Sequence, residues 1–117
     1  MNIDKHITMT STLVQAKCFL RLLLDKKTLI GQKKALLFSA NENQCQAVSL
    51  VIQNSLKENV PVKNTEKKKI LKYKNILKKI AKKTLSKKNK LKLIKKHYKI
   101  ILIILLIMKQ LLEKVLV

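Results

Sequence analysis

The sequence predicts an all-α fold: a small bundle of short helices, followed by a basic helix and a long C-terminal helix. Three observations lead there. One glycine, Gly31, and one proline, Pro61, leave the chain almost without the turn residues that a multi-stranded sheet requires. The apolar residues recur at steps of three and four, the period of a helix face, rather than alternating as in a strand. The length of 117 residues suits one domain with a single core.

Taken in order, residues 1–12 (MNIDKHITMTST) hold an acid and no apolar core, and are read as a flexible N-terminus rather than a secretory signal. The region of short helices spans 13–58. Its first helix, 13–24 (LVQAKCFLRLLL), follows the capping candidates Thr10, Ser11 and Thr12 and is apolar over most of its circumference, so it is predicted to be largely buried. A second helix covers 28–39 (TLIGQKKALLFS). Gly31 costs it about 1 kcal/mol relative to Ala and marks a candidate break. The third opens at Asn41 with Gln44 three residues on, the capping-box spacing. Cys45, Val48, Val51, Ile52 and Leu56 give it an apolar stripe.

The loop 59–64 follows, where Pro61 forbids a continuous helix and biases Val60 to an extended conformation. A basic amphipathic helix is predicted over 65–84, capped by Asn64 or Thr65. Ile70, Tyr73, Ile76, Leu77, Ile80 and Ala81 share its apolar face, and Lys68, Lys72, Lys79 and Lys83 project from the other. With Thr84 and Ser86 as candidate caps, the last element is predicted as one helix over 86–117, lysine-rich at first and apolar later. Leu91, Ile94, Tyr98, Ile101, Leu105, Met108, Leu112 and Val115 form a heptad seam along it, so either the N-terminal helices cover this segment or copies of the chain associate through the seam as a homo-oligomer.

The aliphatic run 100–108 lies inside this segment. Nine residues make about 14 Å of helix, against a hydrocarbon layer of about 30 Å. Extending the run to Val117 takes in Lys109, Gln110, Glu113 and Lys114, at roughly 2.5 to 3.5 kcal/mol for each central charge. Burial against protein is therefore expected. The alternative is a membrane-surface-active protein whose C-terminal apolar run enters an anionic interface.

Charge separates function classes. The formal charge is +21, and 26 of the 27 cations are Lys. Residues 1–66 carry nine cations and five acids, whereas 67–117 carry eighteen cations and one acid. Sixteen lysines without an acid fall within 67–99, although an ordinary solvated face mixes signs because like charges on helical neighbours repel. Such a chain needs an anionic partner, and nucleic acid is the leading one: lysines docking on phosphates release counterions and give affinity without sequence preference. The lysines expected to make these contacts are Lys68, Lys69, Lys72, Lys79, Lys82, Lys83, Lys87, Lys88, Lys90, Lys95 and Lys96. The lone Arg21 lies outside the cluster, so guanine readout is not expected. Tyr73 and Tyr98 fall on apolar faces and read as core residues rather than base-stacking platforms.

No catalytic constellation is visible. His97 has no acid near it in sequence, no glycine-rich phosphate loop exists, and no metal-ligand spacing occurs. Cys18 and Cys45 stand 27 positions apart, neither a zinc motif nor a disulfide framework, and are expected as small buried helix residues. The expectation is a protein that is not an enzyme, takes no cofactor or small-molecule substrate, and works inside the cell, in the nucleus or a virion.

Four stretches in order carry a family resemblance: QKKALLFSA (32–40), NVP (59–61), EKKKILKYKNILKKIA (66–81) and LSKKNKLKLIKK (85–96). In these the chain resembles a group of short lysine-rich proteins of animal genomes and of adenovirus-like mobile elements of the Maverick/Polinton and adintovirus kind. It departs from them at Lys63 and Asn64, where the group has Ser-Pro, and at HYKIIL (97–102), where it has Gly-Gly-Phe-Leu. The resemblance implies a viral or transposon origin and a role like that of a basic virion core protein.

Overall fold

The computed structural model describes residues 10–57 and 60–116, and among these every regular element is an α-helix. In chain order they are α1 (Thr10–Gln15), α2 (Lys17–Leu24), α3 (Ile30–Phe38), α4 (Glu42–Ser55), α5 (Asn64–Lys72), α6 (Lys74–Ile80), α7 (Lys87–Lys96), α8 (Tyr98–Ile107) and α9 (Lys109–Val115). The radius of gyration is 13.0 Å, that of a compact chain of this length.

The predicted first helix is α1 and α2, kinked at Ala16. At the kink Ala16 N donates to both Thr12 O and Leu13 O, and Leu20 N to Ala16 O. Thr10, Ser11 and Thr12 lie within α1 instead of capping it. Residues 1–9 of the expected flexible N-terminus lie outside the described residues. Leu13, Ala16, Phe19, Leu20, Leu23 and Leu24 are buried, while Val14, Cys18 and Leu22 face solvent. Cys18 thus departs from the expectation of a buried cysteine, and Cys45 meets it. The helix α3 runs unbroken through Gly31, which sits in its first turn with nothing within 4 Å of a Cβ placed on it. Gln32 Oε1 accepts from Leu29 N at 2.9 Å and closes that terminus.

The centre of the fold is α4. Asn41 Oδ1 accepts from Gln44 N at 2.8 Å and Gln44 Oε1 from Asn41 N at 2.9 Å, the reciprocal cap that the spacing predicts. Only a stripe was expected to be buried, yet Ala47, Ser49, Leu50, Asn54 and Ser55 are buried as well. Small side chains let α1, α6, α7 and α8 approach this helix from several sides. Its buried polar groups are matched, with Asn54 Nδ2 donating to Leu50 O and Ser55 Oγ to Ile52 O.

The basic helix begins at Asn64, with Lys63 in the cap position and its N–H donating to Glu66 Oε1 at 3.2 Å. It bends at Tyr73 and ends at Ile80, shorter than the predicted 65–84. Ile70, Leu77 and Ile80 are buried; Tyr73, Ile76 and Ala81 are half-buried.

The C-terminal segment differs most from the expectation of one long helix. It is three helices, bent at His97 (φ −115°, ψ 28°) and at Met108 (φ −85°, ψ 1°). A straight helix over 86–117 would run about 48 Å, whereas the longest dimension of the molecule is 32 Å. The bends let an apolar-all-round segment surround itself with protein: α8 packs on α2 and α4, and α9 on α1. Ile94, Ile101, Leu105, Met108 and Leu112 of the heptad seam are buried within one chain, and Leu91, Tyr98 and Val115 are half-buried. Self-association through this seam would require these helices to leave the core. Among the described residues, no helix is long and apolar enough to cross a membrane.

Candidate nucleic-acid interface

The lysine cluster occupies consecutive elements whose apolar sides are pinned in the core. Ile70 anchors α5, Leu77 and Ile80 anchor α6, and Ile94 anchors α7. The 3.6-residue period then turns the lysines outward. Lys68, Lys69 and Lys72 stand on α5, Lys79 on α6, Lys82 and Lys83 in the loop after it, and Lys87, Lys88, Lys95 and Lys96 on α7, all exposed. Among the described residues, none of these ten forms an ion pair; the pair of Lys109 with Glu113, at 3.9 Å, lies on α9. Lys74, Lys78, Lys92 and Lys99 are exposed in the same stretch and enlarge the surface. Ser86 Oγ accepts from Asn89 N at 3.3 Å and caps α7, as its position suggested.

Lys90 is different from the rest. It is half-buried, its Nζ donates to Ser49 Oγ at 2.9 Å, and Ser49 Oγ donates to Ile80 O at 3.3 Å. Burial pushes the Lys90 ammonium below its ordinary value of 10.5. A serine beside a lysine of lowered pKa has the composition of a nucleophile and its base. Here Ser49 is 1% exposed and its hydroxyl proton is committed to a carbonyl, so the pair is a strut joining α7, α4 and α6. Gln53 Nε2, donating to Ala81 O at 2.9 Å, ties α4 to the end of α6 a second time.

Aromatic groups near the lysines are engaged within the protein. Phe38 and Tyr98 meet edge to face, with ring centroids 5.8 Å apart and planes at 83°. Lys34 Nζ lies 5.4 Å from the Phe38 centroid and 5.0 Å from that of Tyr98, while Lys95 Nζ lies 5.9 Å from Phe38. Lys72 Nζ covers Tyr73 at 5.5 Å. Lys34 joins the cluster from α3, some sixty residues away in sequence, and no local signal could have placed it there.

Two concavities among the described residues bear on the site. One of about 440 Å³ runs along α4, lined by Glu42, Cys45, Gln46, Ser49, Leu50 and Gln53, with Lys83, Leu85, Lys87 and Lys90 opposite. Burial pushes the Cys45 thiol up, and Lys87 and Lys90 pull it part of the way back. The second, of about 450 Å³, mixes Arg21, Lys26, Lys27 and Lys109 with Asp25 and Glu113. Arg21 Nη2 donates to Leu116 O at 2.7 Å, so the single arginine fastens the C-terminal segment to α2. His97 sits at a bend, half-buried; burial lowers its pKa, and Lys96 and Lys79 lower it further. Among the described residues no three His, Cys, Asp or Glu side chains group as metal ligands would. No protein-family model matches this chain, and neither does any curated protein or solved structure.

Proposed function

We propose that this protein binds and condenses nucleic acid through lysine–phosphate contacts, with little regard for base sequence. The observation that carries the reading is the run of ten exposed lysines on α5, α6, α7 and the loop between α6 and α7, none paired with a described carboxylate. Each is a compact charge on a flexible stem, suited to phosphate oxygens along a backbone. Their number suits a polymer of repeating charge, which trades condensed counterions for ammonium groups. Resemblance to the lysine-rich proteins of adenovirus-like mobile elements agrees with such a role. Replacing Lys68, Lys69 and Lys72 by Gln is expected to weaken low-salt duplex retention by about tenfold or more. The control replaces Lys26 and Lys27, which line the mixed-charge concavity, and is expected to change it little. Equal losses in both variants would end the reading.

Association with an anionic membrane surface is the second reading: Leu106 of the C-terminal run is 50% exposed, and the more exposed apolar groups lie at the start of α3. Leu29 and Ile30 are 69% and 70% exposed beside Lys26, Lys27 and Lys34. Flotation with anionic vesicles that is lost on changing both to Gln, in a protein that ignores duplexes, would favour this reading over the first.

A further inference from the structure

The cleft along α4 is unlike the rest of the basic surface. Glu42, Cys45, Gln46, Ser49, Leu50 and Gln53 follow one another at steps of three and one, a single helix face about 16 Å long. Across from it, Lys87 and Lys90 stand one turn apart on α7, and Lys83 leads in from the loop. Three ammonium groups therefore line one concavity, and among the described residues none of them has a carboxylate within ion-pair distance. Its volume of about 440 Å³ falls in the range of about 300 to 1,000 Å³ usual for small-molecule sites.

The shape distinguishes between phosphates. A phosphodiester inside a duplex has one charge, and its strand must continue on both sides, which suits an open convex surface. A phosphate monoester ends its chain and carries about −1.5 to −2 at neutral pH, which suits a recess with several cations. Glu42 bears a charge of the wrong sign for phosphate. At the N-terminal end of α4 it can instead accept hydrogen bonds from sugar hydroxyls, with the amide of Gln46 one turn on. The partial burial of Lys90, whose ammonium already gives one hydrogen bond to Ser49, leaves a charge that a bound dianion would compensate.

We infer that the cleft between α4 and the Lys83–Lys90 segment is a binding site for a terminal phosphate monoester of nucleotide size, held chiefly by Lys87 and Lys90. The ligand is a free nucleotide or the phosphorylated end of a strand. This goes beyond the proposed backbone binding, which needs no pocket.

The test is calorimetric titration of the full chain with adenosine monophosphate, adenosine as the control, and duplex retention measured in parallel. The site predicts saturable binding at one equivalent, absent for adenosine. Lys83→Gln with Lys87→Gln should weaken it at least tenfold, while Lys68→Gln with Lys69→Gln, an equal loss of charge elsewhere, should leave it within about twofold. All four lysines are exposed, and matching thermal melts establish that the variants fold. A strand phosphorylated at one end that displaces the nucleotide at least tenfold better than its unphosphorylated counterpart assigns the site to strand ends; displacement by neither strand assigns it to the free nucleotide, and equal displacement by both overturns the inference. No nucleotide binding, or equal weakening in the two double variants, overturns the inference. Duplex retention that survives such a result leaves the backbone reading standing. Nucleotide binding without duplex retention ends that reading alone.

Discussion

At the scale of single residues, the sequence distinguishes poorly between a lysine that meets solvent and one that holds the fold. Lys90 carries the same label as its neighbours in KKNKLKLIKK, yet it precedes the buried Ile94 by one turn and so lies at the edge of the core face. That spacing was legible, but its serine partner, forty-one positions earlier, was not. His97 offers a prediction at this scale. Its folded pKa lies below the ordinary 6.5, through burial first and then the charges of Lys96 and Lys79. The unfolded chain therefore takes up the proton first, and stability falls as pH drops from about 6.5 through the lowered folded value. Above that window the group contributes no slope, and below it the loss is complete. Thermal melts between pH 7 and 5 should show the decline, and His97→Gln should flatten it. An unchanged slope in the variant would assign the decline to other groups.

At the scale of elements, two start signals were legible because capping is local, whereas Thr10, Ser11 and Thr12 fall inside α1 and Lys63 takes the cap ahead of the expected Asn64 or Thr65. Asn41 and Gln44, and Ser86, act where their spacing put them. Stops and bends were not, since Tyr73, His97 and Met108 are not helix breakers and the chain bends there to fit around α4. Nor did the sequence show that α4, whose start it marked, is the centre of the fold: ENQCQAVSLVIQNS reads as half polar, and only its small residues hint that other helices crowd it. The run 100–108 raised the choice between lipid and protein, and α8 provides a direct test. Ile104 is fully buried and Leu106 is 50% exposed. Ile104→Ala is expected to cost about 2 to 5 kcal/mol by denaturant unfolding, and Leu106→Ala about 0.5 kcal/mol or less. Similar small effects at both positions would mean that α8 does not pack as described.

At the scale of the whole molecule, the all-α class and the concentration of charge in the second half follow from composition and periodicity. The arrangement does not, because a seam of period three and four is equally suited to a partner chain or to the chain's own helices. Here α2 and α4 occupy the place a second copy would take beside α8. What results is a compact body, 32 × 30 × 27 Å, with sixteen lysines in the segment 67–99 and no acid among them. Charge of one sign at that density opposes compaction in the free protein, so binding a polyanion should also raise the melting temperature, and more so at low salt. The most direct measurement is the affinity for a short DNA duplex as a function of salt. Six lysines on phosphates predict a slope of log affinity against log salt of about −5, and binding that does not depend on base composition. A slope near zero, or no retention at low salt, would contradict the account.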